Sequence, residues 1–211
     1  MQEVLQRLGR IGVVPAIKID DAAHAIPLAE ALIAGDMPVA EITFRTGAAS
    51  ASIRDISHRY PDMLLGAGTV LTVSQAQQAV DAGALFIVSP GFSPSVVDWC
   101  LQHKIPVLPG VATPTEIMAA LDAGLTVLKF FPAEEFGGVR MLKALASPFS
   151  TVQFVPTGGI TPASLPDYLR LPNVLAVGGT WMVKSDLISA SRFPEITRLA
   201  LEARAIVTQL R

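Results

Sequence analysis

An apolar run opens every 20–26 residues along this chain: Val13–Ile19, Val39–Phe44, Leu64–Val70, Phe86–Ser89, Pro106–Val111, Val127–Phe131, Gln153–Pro156 and Val174–Val177. That interval is the length of a compact strand–loop–helix–loop unit. Most of the runs lack polar alternation, as expected of parallel strands covered on both faces. The segments between them read as helices with polar starts and glycine stops. Asp20 or Asp21 caps a helix that ends at Ala34 before Gly35, Ser74–Ala82 is closed by Gly83, and Thr115–Ala123 by Gly124. Gln2–Leu8 reads as an extra N-terminal helix and Glu195–Leu210 as a final amphipathic one. Eight such units predict an α/β fold, a (β/α)8 TIM barrel forming a single domain over residues 1–211. An open doubly wound sheet is the rival, and strand count and regularity favour the barrel.

Composition narrows the function classes. With 51% hydrophobic and 16% charged residues, the chain is not a disordered one. A net charge of -2 gives no basic field for nucleic acid or an anionic membrane. No apolar run approaches the roughly 18 residues that a membrane helix needs. Cys100, the single cysteine, excludes an internal disulfide and a cysteine-rich metal site. The first residues lack a signal-peptide layout, so a cytoplasmic location is expected. Mean hydropathy of +0.48 is high, and buried parallel strands plus a subunit interface would account for it.

Against that apolar background Lys129 stands out, inside Val127-Leu128-Lys129-Phe130-Phe131-Pro132. Lysine is rarely buried unless paired, and loss of water disfavours its ammonium form. A neutral lysine amine attacks carbonyl carbons to form Schiff bases. Period-two alternation puts Val127, Lys129 and Phe131 on one face, with apolar neighbours expected around the amine. A lysine paired with a buried carboxylate for packing alone is the plainer alternative. Of the five lysines only Lys18 also lies in a strand, and Asp20 and Asp21 beside it make an ion-paired, wetter site.

Other runs end in polar groups. In Glu41-Ile42-Thr43-Phe44-Arg45-Thr46 the same alternation sets Glu41, Thr43 and Arg45 on one face. Glu41 is suited to proton transfer and Arg45 to a bidentate clamp on a carboxylate, unless the two form a structural ion pair. Glycine doublets follow the last two runs, in Thr157-Gly158-Gly159-Ile160 and Gly178-Gly179-Thr180. Barrels of this class often bind phosphate in those loops. Thr69, in Gly66-Ala67-Gly68-Thr69, offers a hydroxyl, and Ser89-Pro90-Gly91 forms another turn at a strand end. His24, His58 and His103 lack metal-site spacing, so a metal-free enzyme without a cofactor is expected. Together these parts suit a substrate with a carboxylate and ketone at one end and a phosphate at the other.

The motifs resemble those of the 2-keto-3-deoxy-6-phosphogluconate (KDPG) and 4-hydroxy-2-oxoglutarate aldolase family, class I enzymes of the Entner–Doudoroff pathway. The likeness is carried by Val14-Pro15-Ala16-Ile17, Glu41 to Thr46, Gly66 to Val70, Ser89-Pro90-Gly91, Lys129 to Glu134, Pro156 to Ile160 and Gly178 to Trp181. It implies Lys129 as the Schiff-base former and Glu41 as the general acid/base. It implies Arg45, Thr69, Pro90, Phe131, Thr157, Gly158, Gly159, Gly179 and Thr180 as substrate-binding residues, with phosphate around the two doublets. A homotrimer is implied, with a phosphorylated 2-keto-3-deoxy acid, pyruvate and glyceraldehyde 3-phosphate as its small-molecule partners. Phe44 and Thr180 depart from the family's usual Leu and Ser. Arg45-Thr46 and Thr157 favour the gluconate branch over the galactonate-directed one, which typically has Asn-Ser at the first pair. A sugar-phosphate isomerase or epimerase using Glu41 as base, and a phosphometabolite-binding barrel without catalysis, are the competing functions.

Overall fold

In the computed structural model, which describes residues 1–211, the repeating units form a parallel α/β fold. In chain order the elements are α1 (Gln2–Ile11), β1 (Val13–Ile17), α2 (Ala25–Ala34), β2 (Val39–Thr43), α3 (Ala49–Arg59), β3 (Leu64–Gly68), α4 (Val73–Asp81), β4 (Phe86–Val88), α5 (Pro94–Gln102) and β5 (Val107–Leu108). There follow β6 (Gly110–Val111), α6 (Pro114–Asp122), β7 (Val127–Phe130), α7 (Gly138–Ala146), β8 (Gln153–Pro156), α8 (Leu165–Leu169), β9 (Val177–Gly179), α9 (Ser185–Ser189) and α10 (Phe193–Leu210). Six strands pair in the order β5-β4-β3-β2-β1-β9 and three in the order β6-β7-β8, making a curled parallel sheet packed by helices.

The differences from the sequence reading have local causes. The fifth apolar run is split at Pro109, which has no N–H to give to a ladder. The third run stops at Gly68 because Thr69 turns into the left-handed region at φ 55°. The eighth begins late, at Val177, since the Val174 N–H is spent on a turn bond to Leu171 O at 3.1 Å. Asp21 does act as a cap, but of a short 3-10 turn, Ala22–His24, and α2 starts only after it. Thr72 accepts the Gln75 N–H to start α4, and Thr113 with Glu116 forms a capping box on α6. Each such cap stabilises its helix by about 1 kcal/mol.

β1, β2 and β3 are buried at every position, the polar Glu41 and Thr43 of β2 included. Sixty-two buried residues form one hydrophobic cluster beneath the helices. Phe130 and Phe154 meet edge to face in it, ring centroids 6.2 Å apart, bracing β7 against β8. Leu128 and Phe130 are fully buried in that cluster, which leaves Val127, Lys129 and Phe131 to the opposite face by strand alternation. Because every strand is parallel, all strand C-termini open on one rim, and the polar residues of the sequence motifs collect there.

Candidate active site

A cavity of about 410 Å³ opens at that rim. Glu41, Thr43 and Arg45 line it in the predicted alternation, with Ile42 between them at 0% exposure in the core. Lys129, Phe131, Thr69, Pro90, Thr157, Gly158, Gly159 and Thr180 line it too. Gly179 does not. A Cβ on Gly179 would meet the Trp181 ring at 2.1 Å, whereas one on Gly178 would meet Thr157 Oγ1 at 2.2 Å, so Gly178 is the residue of that doublet on the cavity side. A one-residue step along a strand changes its face.

Lys129 is buried, and its surroundings differ from the apolar ones expected. Its Nζ donates to Glu41 Oε1 at 3.5 Å, across 88 residues of sequence. The two side chains are only 7% and 5% exposed. Nζ also lies 5.1 Å from the centre of the Phe131 ring, whose face favours a cation. The Glu41–Arg45 ion pair considered from sequence is not formed, since Glu41 pairs with Lys129 while Arg45 stands exposed at the cavity's edge. Gly68 makes room for this: a Cβ there would lie 2.1 Å from Glu41 Oε1, so only glycine lets the carboxylate sit against β3.

The register explains how distant motifs meet. Gly110 is opposite Lys129 in the β6–β7 ladder, and Gly68 is opposite Thr43 in the β2–β3 ladder. Thr43 donates its hydroxyl to Ile17 O at 2.7 Å, tying β2 to β1. On the far side Thr157 bridges to Gly178, which brings the two glycine doublets together. Gly158 and Gly159 adopt φ of 108° and 76°, the left-handed region that favours glycine.

Four cations, Lys18, Arg45, Lys129 and Lys184, line the cavity against a single carboxylate, Glu41. That excess suits an anionic ligand, and the arrangement can clamp a carboxylate, attack an adjacent carbonyl and move a proton. Lys18 was expected to be a wetter, paired lysine, and it holds Asp20 at 2.6 Å with its side chain 38% exposed. Lys184, Ser185 and Thr43 were not singled out from sequence. Thr43 was legible in the same alternation as Glu41 and Arg45, and Lys184-Ser185 lie just beyond the second doublet, at the start of α9. No group of three or more His, Cys, Asp or Glu side chains is arranged to hold a metal ion.

A larger hollow of about 760 Å³ lies at the opposite, N-terminal ends of the strands, around Gly9, Arg10, Arg170 and Arg211. The Arg211 guanidinium there is spent on the carbonyls of Gly9, Val174 and Leu175. It gathers no nucleophile or acid/base pair, so the smaller cavity is the candidate for chemistry.

A family profile described as "Aldolase: KDPG and KHG aldolase" matches residues 4–199. The chain is 49% identical to the 2-dehydro-3-deoxy-phosphogluconate aldolase of Treponema pallidum over 207 residues, covering 98% of this chain and 99% of that one. It is 46% identical to the KHG/KDPG aldolase of Escherichia coli K12 over 191 residues, 90% of each chain. Among solved structures it is similar to a KDPG aldolase from Legionella pneumophila with pyruvate captured as a covalent carbinolamine. The TM-score is 0.91 at 40% identity, over 94% of this chain and 97% of that one.

Proposed function

The chain belongs to the KDPG and KHG aldolase family of carbon–carbon lyases, and on that premise we propose that Lys129 carries its reversible cleavage of KDPG to pyruvate and glyceraldehyde 3-phosphate. The observation behind this reading is the buried Lys129–Glu41 pair inside a cavity edged by Arg45. Glu41 is positioned to take the proton the Lys129 ammonium must shed before attack. The free amine adds to the C-2 ketone of the substrate, and Glu41 hands its proton to the carbinolamine hydroxyl, which leaves as water to give a protonated imine and restore the Glu41 carboxylate. Glu41 then removes the C-4 hydroxyl proton. The C-3 to C-4 bond breaks, its electron pair moves into the iminium, and the aldehyde product leaves behind a pyruvate enamine. Protonated Glu41 returns its proton to C-3, and water hydrolyses the imine to release pyruvate and the amine.

Arg45 would hold the substrate carboxylate, Thr69 and Thr157 its oxygens, and Pro90 and Phe131 the walls of the pyruvate end. Gly158, Gly159, Gly178 and Thr180 would seat the phosphate, the backbone N–H groups of the glycines approaching it closely. 4-Hydroxy-2-oxoglutarate keeps the carboxylate and ketone, and its cleavage fits the KHG/KDPG designation of the Escherichia coli relative. The curated relatives above bear the phosphogluconate name, which favours that branch over the galactonate-directed one. We place the reaction in the cytoplasm, because a substrate with a carboxylate and a phosphate does not cross a bilayer unaided.

Incubation with pyruvate and borohydride, followed by peptide mapping, tests the assignment. A reduced pyruvyl group on Lys129 is expected. No adduct, or one on Lys18, overturns it.

We further propose that the nine strands make one closed (β/α)8 barrel and one domain. Two features support closure: the Phe154–Val174 and Thr157–Gly178 bridges between β8 and the β9 segment, and the Lys129 N–H bond to Pro109 O at 3.0 Å, which spans the β5–β6 break. One coincident unfolding transition by far-UV dichroism and tryptophan fluorescence is expected, and two separated transitions would contradict it. Exposed apolar side chains at Leu71, Met118 and Phe136 suit burial in a homotrimer. Sedimentation should then give three times the 22.3 kDa chain mass, and a single-chain mass would refute the trimer.

A further inference from the structure

Beyond the end of β7 at Phe130 the chain turns through Phe131-Pro132-Ala133-Glu134, and Glu134 lies outside the cavity lining. Its backbone and side chain nevertheless grip the first glycine doublet. The Ala133 N–H donates to Thr157 O at 2.8 Å, and the Glu134 N–H to Gly158 O at 3.1 Å. A Cβ on Gly159 would come within 2.7 Å of Glu134 Cβ and Cγ, so the stem of Glu134 packs flat on that peptide. At its far end the Glu134 carboxylate accepts the Tyr168 hydroxyl at 2.5 Å.

Tyr168, in α8, has 0% exposure. A Cβ on Gly138 would lie 2.6 Å from its hydroxyl oxygen, so the phenol tip is held between that glycine and Glu134. Burial, then the hydrogen bond and charge of Glu134, push the phenol above its ordinary pKa, which keeps it a donor at neutral pH. A rigid chain therefore runs from the core under α8, through Tyr168 and Glu134, to the Gly158-Gly159 loop.

We propose that Tyr168 and Glu134 are positioning residues whose hydrogen bond sets the Thr157–Gly159 loop for the substrate's phosphate and so for the preference for phosphorylated substrates. The inference rests on the phosphate seat proposed above. It concerns the phosphate end alone: neither side chain reaches the Lys129 amine. Because Glu134 is itself exposed, removing the Tyr168 hydroxyl leaves a hydrated carboxylate and no stranded buried charge.

The test compares the full chain with Tyr168→Phe, Glu134→Ala and Glu134→Gln. Losing one hydrogen bond to a charged group should raise KM for KDPG about ten-fold in Tyr168→Phe and Glu134→Ala, with kcat retained. Competitive inhibition by inorganic phosphate should weaken in parallel. The pyruvate concentration that half-saturates borohydride inactivation should not move, since pyruvate has no phosphate. Glu134→Gln keeps an acceptor for the phenol and should restore wild-type KM. A Tyr168→Phe enzyme with unchanged KM and phosphate inhibition overturns the inference while leaving the seat intact. So does a variant that loses pyruvate and KDPG affinity equally, which would mean general loosening. A wild-type enzyme that inorganic phosphate does not inhibit overturns the seat itself, and the inference with it.

Discussion

The ends of β1 and β7 each present a lysine–carboxylate pair, and the two pairs differ in an instructive way. Lys18 and Asp20 are 2.6 Å apart with side chains 38% and 57% exposed. Lys129 and Glu41 are farther apart, at 3.5 Å, and almost dry at 7% and 5%. The shorter contact is the weaker one in energetic terms, because water screens it and competes for both partners; such pairs contribute about 0–1 kcal/mol. The buried pair costs desolvation that its attraction does not reliably repay, yet removing one partner costs about 3–5 kcal/mol. Dehydration, more than distance, separates the two. It leaves Lys129 and Glu41 little besides each other to offset their charges, whereas Lys18 and Asp20 have water as well.

Substitutions at the buried pair should break the contrast most visibly. Glu41→Gln keeps the shape and removes the proton carrier, so kcat for KDPG should fall by about 10²–10⁴, while pyruvate is still trapped on Lys129 but more slowly, with water left to take the ammonium proton. Steady-state kinetics and borohydride mapping on one preparation check both halves, and a near-wild-type kcat would put the buried pair on a par with the surface one. Gly68→Ala acts on the same carboxylate without touching its charge. The new methyl, 2.1 Å from Glu41 Oε1 and 2.7 Å from its Cγ, forces the carboxylate away from Lys129. A misplacement of that kind should lower kcat by up to about 10²-fold and cost about 1–3 kcal/mol of stability. Urea titration beside kinetics separates the effects; loss of stability with full kcat would mean that the 3.5 Å geometry is not needed. Arg45→Lys is milder, since it keeps the charge and loses only the planar fork. KM should rise about ten-fold with kcat retained, and a change confined to kcat would remove Arg45 from substrate binding.

The contrast was only half visible in the sequence. Strand alternation is local, so the shared face of Glu41, Thr43 and Arg45 and the inward face of Lys129 were legible, as was the Lys18–Asp20 pairing two residues apart. The Lys129–Glu41 contact spans 88 residues and depends on the register of ladders that no local pattern specifies. For the same reason the expectation of apolar surroundings for Lys129 failed, and the buried carboxylate partner weighed beside it is present. That Gly178 and not Gly179 lines the cavity was not legible, because a doublet gives no sign of which member faces inward. The split of the fifth run at Pro109 was foreseeable from proline's missing N–H, and the left-handed turn at Thr69 that ends β3 was not, since threonine rarely adopts it.

The smallest expected effect is the sharpest check on the exposed pair. Asp20→Asn breaks the 2.6 Å contact but strands nothing, since both groups reach water. The urea midpoint should therefore move by no more than the ~0.2–1 kcal/mol typical of an exposed pair. Lys18 lines the cavity whereas Asp20 does not. Losing Asp20 thus leaves an unneutralised cation facing an anionic substrate, and KM for KDPG should fall slightly, by about two-fold, at low salt. The gain should vanish at 1 M salt, where the screening length shrinks to about 3 Å. A gain that persists at high salt would mean that Lys18 touches the substrate directly. A stability loss of several kcal/mol would mean that the β1 pair is effectively as dry as the β7 pair, and the distinction between them would collapse.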